Sequence, residues 1–182
     1  PLEEGNVAFS YATVQVEDII ERSAAGTATG TASFSSSLLV FSYSQDANWF
    51  KDLRLGANVK FYNQGFSGGG NSFSAGKGSG FDLDVGLQYQ PIPWIMLGFT
   101  QQNALPSSFG GKFAWNTGFV ESIPTLTKVG SVFTLYGGKG AYQRGDMALL
   151  LSMDGDFALT RSGEPPVFHL GSEWRPNRNL AL

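Results

Sequence analysis

Apolar and polar residues alternate along four stretches of this chain with hardly an error, and a period of two leaves few folds open. In Phe81, Leu83, Val85, Leu87 and Tyr89 every odd position is apolar, while Asp82, Asp84, Gly86, Gln88 and Gln90 between them are small or polar. Successive side chains of a strand point to opposite faces, so this pattern is not a helical stripe. One face of each strand calls for an apolar surrounding and the other for water. The same split recurs where Leu53, Leu55, Ala57, Val59 and Phe61 oppose Asp52, Arg54, Gly56, Asn58 and Lys60. It recurs again where Met147, Leu149, Leu151 and Met153 oppose Asp146, Ala148, Ser152 and Asp154, with Leu150 out of phase. In the last stretch Phe168, Leu170 and Trp174 oppose His169, Gly171, Glu173 and Arg175.

Turns marked by Gly, Pro, Asn and Asp clusters divide the chain into nine candidate strands, near 6–20, 33–45, 50–63, 78–91, 94–103, 126–138, 146–158, 166–175 and a stub from 179. Most exceed the roughly 9 to 11 residues that cross a bilayer at a tilt. Long connections at 21–32, 64–77 and 104–125 alternate with short ones at 46–49 and 92–93, the later ones being more even. Short turns at one rim and long loops at the other are the habit of outer-membrane barrels. The expected fold is therefore all-β: an antiparallel transmembrane β-barrel, here a partial barrel of about nine meandering strands forming a single domain over 1–182. A soluble sandwich is the competing architecture, but it needs a second sheet over the apolar faces. The facing of 6–20 and 126–138 is not readable from the pattern.

Composition narrows the function. Charged residues make up 15% of the 182, so the polarity comes mainly from Ser, Thr, Asn, Gln and Gly, as suits a two-faced sheet with wet turns. A net charge of −3 without Lys/Arg clusters gives no footing for a nucleic-acid partner. No apolar run reaches the roughly 20 residues of a membrane helix, a test that barrels evade because their lumen-facing residues dilute the signal. Pro1-Leu-Glu-Glu-Gly is no signal peptide and Leu180-Ala-Leu182 stops in what reads as mid-strand, so a piece of a longer protein is expected.

The polar sets, Asp52, Arg54, Asn58, Lys60, Asp82, Asp84, Gln88, Asp154, His169, Glu173 and Arg175, are expected to line a lumen. Pairing 50–63 with 78–91 across the glycine loop sets Lys60 opposite Asp82, Asn58 opposite Asp84 and Arg54 opposite Gln88, each pair contributing about 0.2 to 1 kcal/mol. These charges either conduct or orient a solute or simply satisfy one another in the wall. Trp49, Tyr89, Trp94, Tyr142 and Trp174 fall in or beside the shorter turns and read as a membrane-interface girdle. Phe109, Phe113, Trp115 and Phe119 lie in the long loop 104–123, which reads as a hydrophobic rim folding over or into the barrel mouth. Catalysis, metal binding and cofactors are not expected. The single His169 has no Ser in a nucleophile elbow, Asp154-Gly-Asp156 lacks the further ligands of a calcium loop, and Gly68-Gly-Gly70 and Gly76-Lys-Gly78 open no phosphate-binding helix.

The segments Phe81-Asp-Leu-Asp-Val-Gly-Leu-Gln-Tyr-Gln-Pro91, Trp94-Ile-Met-Leu-Gly-Phe-Thr-Gln-Gln-Asn103 and His169-Leu-Gly-Ser-Glu-Trp174, followed by Asn179-Leu-Ala-Leu182, resemble the PorV/PorQ-like outer-membrane barrels, relatives of the FadL fatty-acid transporters. The resemblance implies a barrel of about 14 strands, within the range of outer-membrane barrels, of which this chain is a middle-to-late portion without the N-terminal plug. It also implies an outer-membrane location in a Gram-negative-type bacterium and a protein that binds or passes hydrophobic solutes without covalent chemistry. The alternative is an envelope or secretion-system assembly component without transport. Expected partners are outer-membrane lipid, a hydrophobic small molecule, and other envelope proteins or remaining barrel segments.

Overall fold

The computed structural model describes residues 5–68, 76–142, 147–158 and 163–176. Ten strands follow one another: β1 (Gly5–Arg22), β2 (Ala28–Asp46), β3 (Leu53–Gly68), β4 (Lys77–Ile92), β5 (Ile95–Gln102), β6 (Lys112–Trp115), β7 (Val120–Ser122), β8 (Leu126–Tyr136), β9 (Ala148–Ala158) and β10 (Val167–Arg175). They form one antiparallel meander in the order β1-β2-β3-β4-β5-β8-β9-β10, with β6 paired to β4 and β7 to β6. The sheet curls through 224° into a half-barrel. Eight of the strands read from the sequence are present in the expected order. The stub from 179 and Asp146 lie outside the described residues, as does part of the 64–77 glycine loop.

Two differences from the sequence reading have physical causes. The connections at 21–32 and 64–77 are shorter than expected because β1 extends through Glu21 and Arg22, and β2 and β3 run on through Ser-, Thr- and Gly-rich sequence that shows no alternation. Neighbouring strands supply the ladder there, and side chains stitch it: the Ser33 and Ser67 hydroxyls lie 2.8 Å apart, and Gln64 Nε2 donates to Ser36 Oγ at 3.2 Å. The loop 104–125 contains the short hairpin β6–β7. β5 pairs with β4 only from Val85 to Ile92, and β6 takes the vacant part of β4 from Gly78 to Phe81. An exposed ladder on β4 would otherwise be left unsatisfied.

Cross-strand partners share a face, so the register fixes the two sides of the sheet. On the convex side one row runs Phe9–Phe41–Val59–Leu83 and the next Val7–Tyr43–Ala57–Val85–Gln101–Thr127. On the concave side Ser42–Asn58–Asp84 and Ser44–Gly56–Gly86–Thr100–Lys128–Asp156 form the matching rows. This settles the two strands whose facing the sequence left open: Val7, Phe9 and Tyr11 of β1 and Val129 and Phe133 of β8 are convex. Among the described residues the buried hydrophobic side chains are Ala32, Ala47 and Phe113, while Phe41, Phe61, Phe81, Val85, Leu87, Leu97, Leu151 and Met153 are all exposed. The apolar side of the sheet faces nothing within the described chain.

Candidate functional site

The concave wall is built around β3, β4 and the end of β5. The register places Lys60 opposite Asp82, Asn58 opposite Asp84 and Arg54 opposite Gln88, as the alternation requires. The side chains choose different partners. Lys60 Nζ sits 2.5 Å from Asp84 Oδ1, on the diagonal, and both side chains are nearly buried. Asn58 Nδ2 reaches the other Asp84 oxygen at 3.4 Å. Asp82, opposite Lys60 in the ladder, is instead occupied by the incoming loop: its Oδ1 accepts from Leu105 N at 3.1 Å and from Leu83 N at 2.7 Å. Asp82 is fully buried, and its Oδ2 has no hydrogen-bond partner among the described residues.

Asn103 holds this arrangement together, and the sequence reading assigned it no role. It ends β5 in a left-handed conformation, φ 53°, which Asn tolerates better than most residues and which turns the chain sharply into the loop. Its backbone N donates to Asp84 Oδ1 at 2.9 Å, its side-chain oxygen accepts from Lys60 Nζ and from Tyr62 OH at 3.3 Å, and its Nδ2 donates to the Pro124 carbonyl at 2.7 Å. Thr125 Oγ1 donates to the Asn103 carbonyl at 2.9 Å. Both ends of the long loop are thereby tied to one point on the wall. An Asn following an apolar strand was the only signal in the sequence.

The other predicted lumen residues disperse. Asp52 lies in the turn before β3, exposed, with φ 59°, because the strand starts one residue later than the alternation suggests. Arg54 pairs with Asp46 at 2.9 Å across the β2–β3 turn, and Gln88 contacts Met96 Sδ. Arg175 pairs with Glu173 at 2.5 Å on β10. His169 is directly opposite Asp154, and its Nε2 lies 3.8 Å from Asp156 Oδ2. One ligand atom from each of Asp154, Asp156 and His169 falls within 4.8 Å of the others, but Lys128 Nζ already sits 2.8 Å from Asp156 Oδ2. This is a charge cluster with its own cation.

The loop aromatics divide between the two faces. Phe113 and Trp115 lie opposite Gly80 and Gly78 on the concave side, with ring centroids 4.9 Å apart. Glycine is required beneath them: a Cβ on Gly78 would lie 2.3 Å from Phe113 Cε1. Phe109 turns to the convex side, 6.5 Å from Phe81, and Phe119 is exposed. At this long-loop end the faces exchange character. Val14, Val16, Phe34, Leu38 and Phe66 are concave, with Phe34 and Phe66 at 5.0 Å, while Thr13, Gln15, Ser35, Ser37, Asn63 and Ser79 are convex.

Below that boundary the convex belt is apolar. Leu53 to Phe61 on β3 spans about 26 Å along the strand and Phe81 to Ile92 on β4 about 36 Å, from a rise of about 3.3 Å per residue. A barrel tilt of about 40° converts these to heights of about 20 and 28 Å, which bracket the roughly 25 Å of a membrane barrel's apolar band. Polar interruptions of the convex belt include Gln101 and Thr127, which hydrogen-bond each other at 2.7 Å, and the small side chains Ser131 and Ser172. The five predicted girdle residues all come to the short-turn end: Trp49 in the 47–52 turn, Trp94 in the 93–94 turn, Tyr142 stacked on Tyr136 at 5.5 Å, and Tyr89 and Trp174 near the ends of β4 and β10. Tyr11, Phe61, Phe81 and Phe109 form a second aromatic level at the other boundary, which the sequence reading did not identify. No helix among the described residues is long and apolar enough to cross a membrane.

Comparison with family models, with curated proteins and with solved structures gives no match to this chain.

Proposed function

We propose that the chain forms the wall of an outer-membrane β-barrel of the FadL/PorV type that takes hydrophobic solutes at its long-loop mouth. The exchange of faces supports this reading. A soluble curled sheet keeps its apolar side chains inside along its whole length, whereas here the middle of the sheet carries most of them on the convex side, with Val40, Met96, Val132 and Leu150 as concave exceptions, and the long-loop end groups Val14, Val16, Phe34 and Phe66 inside. Lipid around the middle and an apolar ligand, or the apolar side of a covering loop, within the mouth give each surface a suitable partner.

A solute that partitions into the mouth meets Phe34, Phe66, Phe113 and Trp115. The Lys60–Asp84–Asn103 layer below it is charged and hydrogen-bonded, so an apolar molecule descends no further without paying a desolvation cost. The route of least resistance is sideways, where the β4 ladder passes from β5 to β6 and Leu83 O is held only by Ala104 N, at 2.7 Å. A second reading, a component that displays loops to other envelope proteins, draws on Phe119 and Val120, exposed in the β6–β7 hairpin. Uptake of a fluorescent long-chain fatty acid by liposomes carrying the full chain tests the first reading. Uptake that falls with Phe34→Asp supports it; correctly inserted protein with no uptake, co-purifying with surface proteins, favours the second.

A further inference from the structure

We propose that the convex surface just above the apolar belt, around Lys112, binds an anionic membrane lipid by its phosphate headgroup; this rests on the membrane reading above and names one partner of the wall. A groove of about 590 Å³ crosses β2, β3, β4 and β6 at the upper edge of the belt. Its lower half is apolar, lined by Leu39, Phe61 and Phe81. Its upper half is lined by Ser37, Asn63 and Ser79, which occupy the next convex row, and Lys112 closes it on the β6 side. Acyl chain below, then hydrogen-bonding groups level with the interface, with Lys112 one row beneath them at the level of Phe81 and Lys77 one row above, is an order of chemistry that matches a phospholipid.

Charge complementarity selects the headgroup. The convex rows from Tyr11–Leu39–Phe61–Phe81–Lys112–Ser122 to Gln15–Ser35–Gly65–Lys77 contain two lysines and no Asp or Glu. Lys77 lies on the same face, its Cγ placed 3.2 Å from where a Cβ on Gly65 would stand. Of the other strand cations, Lys60, Lys128, Arg54 and Arg175 each have a carboxylate oxygen within 2.9 Å, and Arg22 at the end of β1 donates to the Gly26 carbonyl at 2.9 Å. Lys77 and Lys112 have none among the described residues. Two lysines on either side of a hydroxyl- and amide-lined ledge, without a carboxylate partner among the described residues, suit a phosphate that arrives with its chains already in the bilayer.

The test is native mass spectrometry of the full chain released from mixed phosphatidylcholine/phosphatidylglycerol bilayers, counting retained lipids. Wild type is expected to retain phosphatidylglycerol over phosphatidylcholine. Each of Lys112→Gln and Lys77→Gln is expected to weaken that preference about fivefold and the pair more than tenfold, on the scale of a basic residue near an anionic surface. Lys139→Gln, at the opposite end, is expected to leave it unchanged. Inorganic phosphate in excess is expected not to compete, since it lacks the chains that fill the lower groove; displacement by phosphate overturns the lipid assignment. A double variant that inserts normally and keeps the wild-type preference overturns the site while leaving the membrane reading intact. A wild-type chain that never enters bilayers overturns both.

Discussion

Val85→Arg is the substitution that the two-faced sheet resists most. Val85 is convex, flanked along the strand by Leu83 and Leu87 and across it by Ala57 and Gln101. It is the central member of the Phe81–Tyr89 apolar series, about 13 Å along the strand from either end, or about 10 Å of height at the usual tilt. An arginine there cannot snorkel fully to either interface. Its cost at mid-bilayer is about 2 to 4 kcal/mol, a factor of about 30 to 900 in the folding equilibrium. Gln88→Arg is the matched control. Its side chain is concave, between Arg54 and Gly98 in the ladder, and Arg54 is exposed and already paired with Asp46, so repulsion amounts to about 1 kcal/mol or less. Urea titration of folding into vesicles, read by tryptophan fluorescence and by heat-modifiable gel migration, separates the two. Equal folding free energies for both variants would refute the assignment of lipid to the odd face.

The Lys60–Asp84 pair is nearly buried, so Lys60→Met is expected to destabilise by about 3 to 5 kcal/mol, and Lys60→Met with Asp84→Leu by less than the single change; the urea double-mutant cycle reads the difference. Arg54→Ala, which breaks a pair with both side chains more than 60% exposed, is expected to move the same midpoint by no more than about 1 kcal/mol. Asn103→Ala removes both the left-handed turn and the bonds to Lys60 and Pro124, and is expected to make Lys112, at the start of β6, readily cleavable by trypsin while the strands of the main meander stay intact. Gly78→Val places side-chain atoms where Phe113 lies and is expected to detach β6–β7, seen as a red shift of Trp115 emission against a background with the other three Trp replaced by Phe.

The sequence made the ladder of β3 and β4 legible because a one-residue slip would turn every charge on these strands to the wrong side, so only one register satisfied the alternation. It did not reveal that Lys60 would bond Asp84. That depends on Leu105 N reaching Asp82 from a loop 23 residues away, and no local pattern encodes such an approach. Asp52 was misplaced because alternation alone does not show that an Asp at positive φ has already entered the turn. The strand at 6–20 read poorly for a reason the structure makes plain: Val7, Phe9 and Tyr11 are apolar at odd positions and Val14 and Val16 at even ones. The phase changes where the strand leaves the belt and its concave side becomes the apolar one. β6 and β7 were missed because four and three residues are too short for a periodic signal, and only the glycines at 78 and 80 hinted that a partner would lie close against β4.

The chain has no cysteine, so single cysteines at each of positions 81 to 89 can be introduced without background. With the protein in bilayers and each cysteine carrying a fluorophore, quenching by nitroxides on the lipid acyl chains is the most direct measurement of which side meets hydrocarbon. The account predicts strong quenching at 81, 83, 85, 87 and 89, weak quenching at the even positions between them, and a maximum near 85. Quenching without a period of two, strongest at the even positions, or absent throughout because the chain stays in water would contradict it.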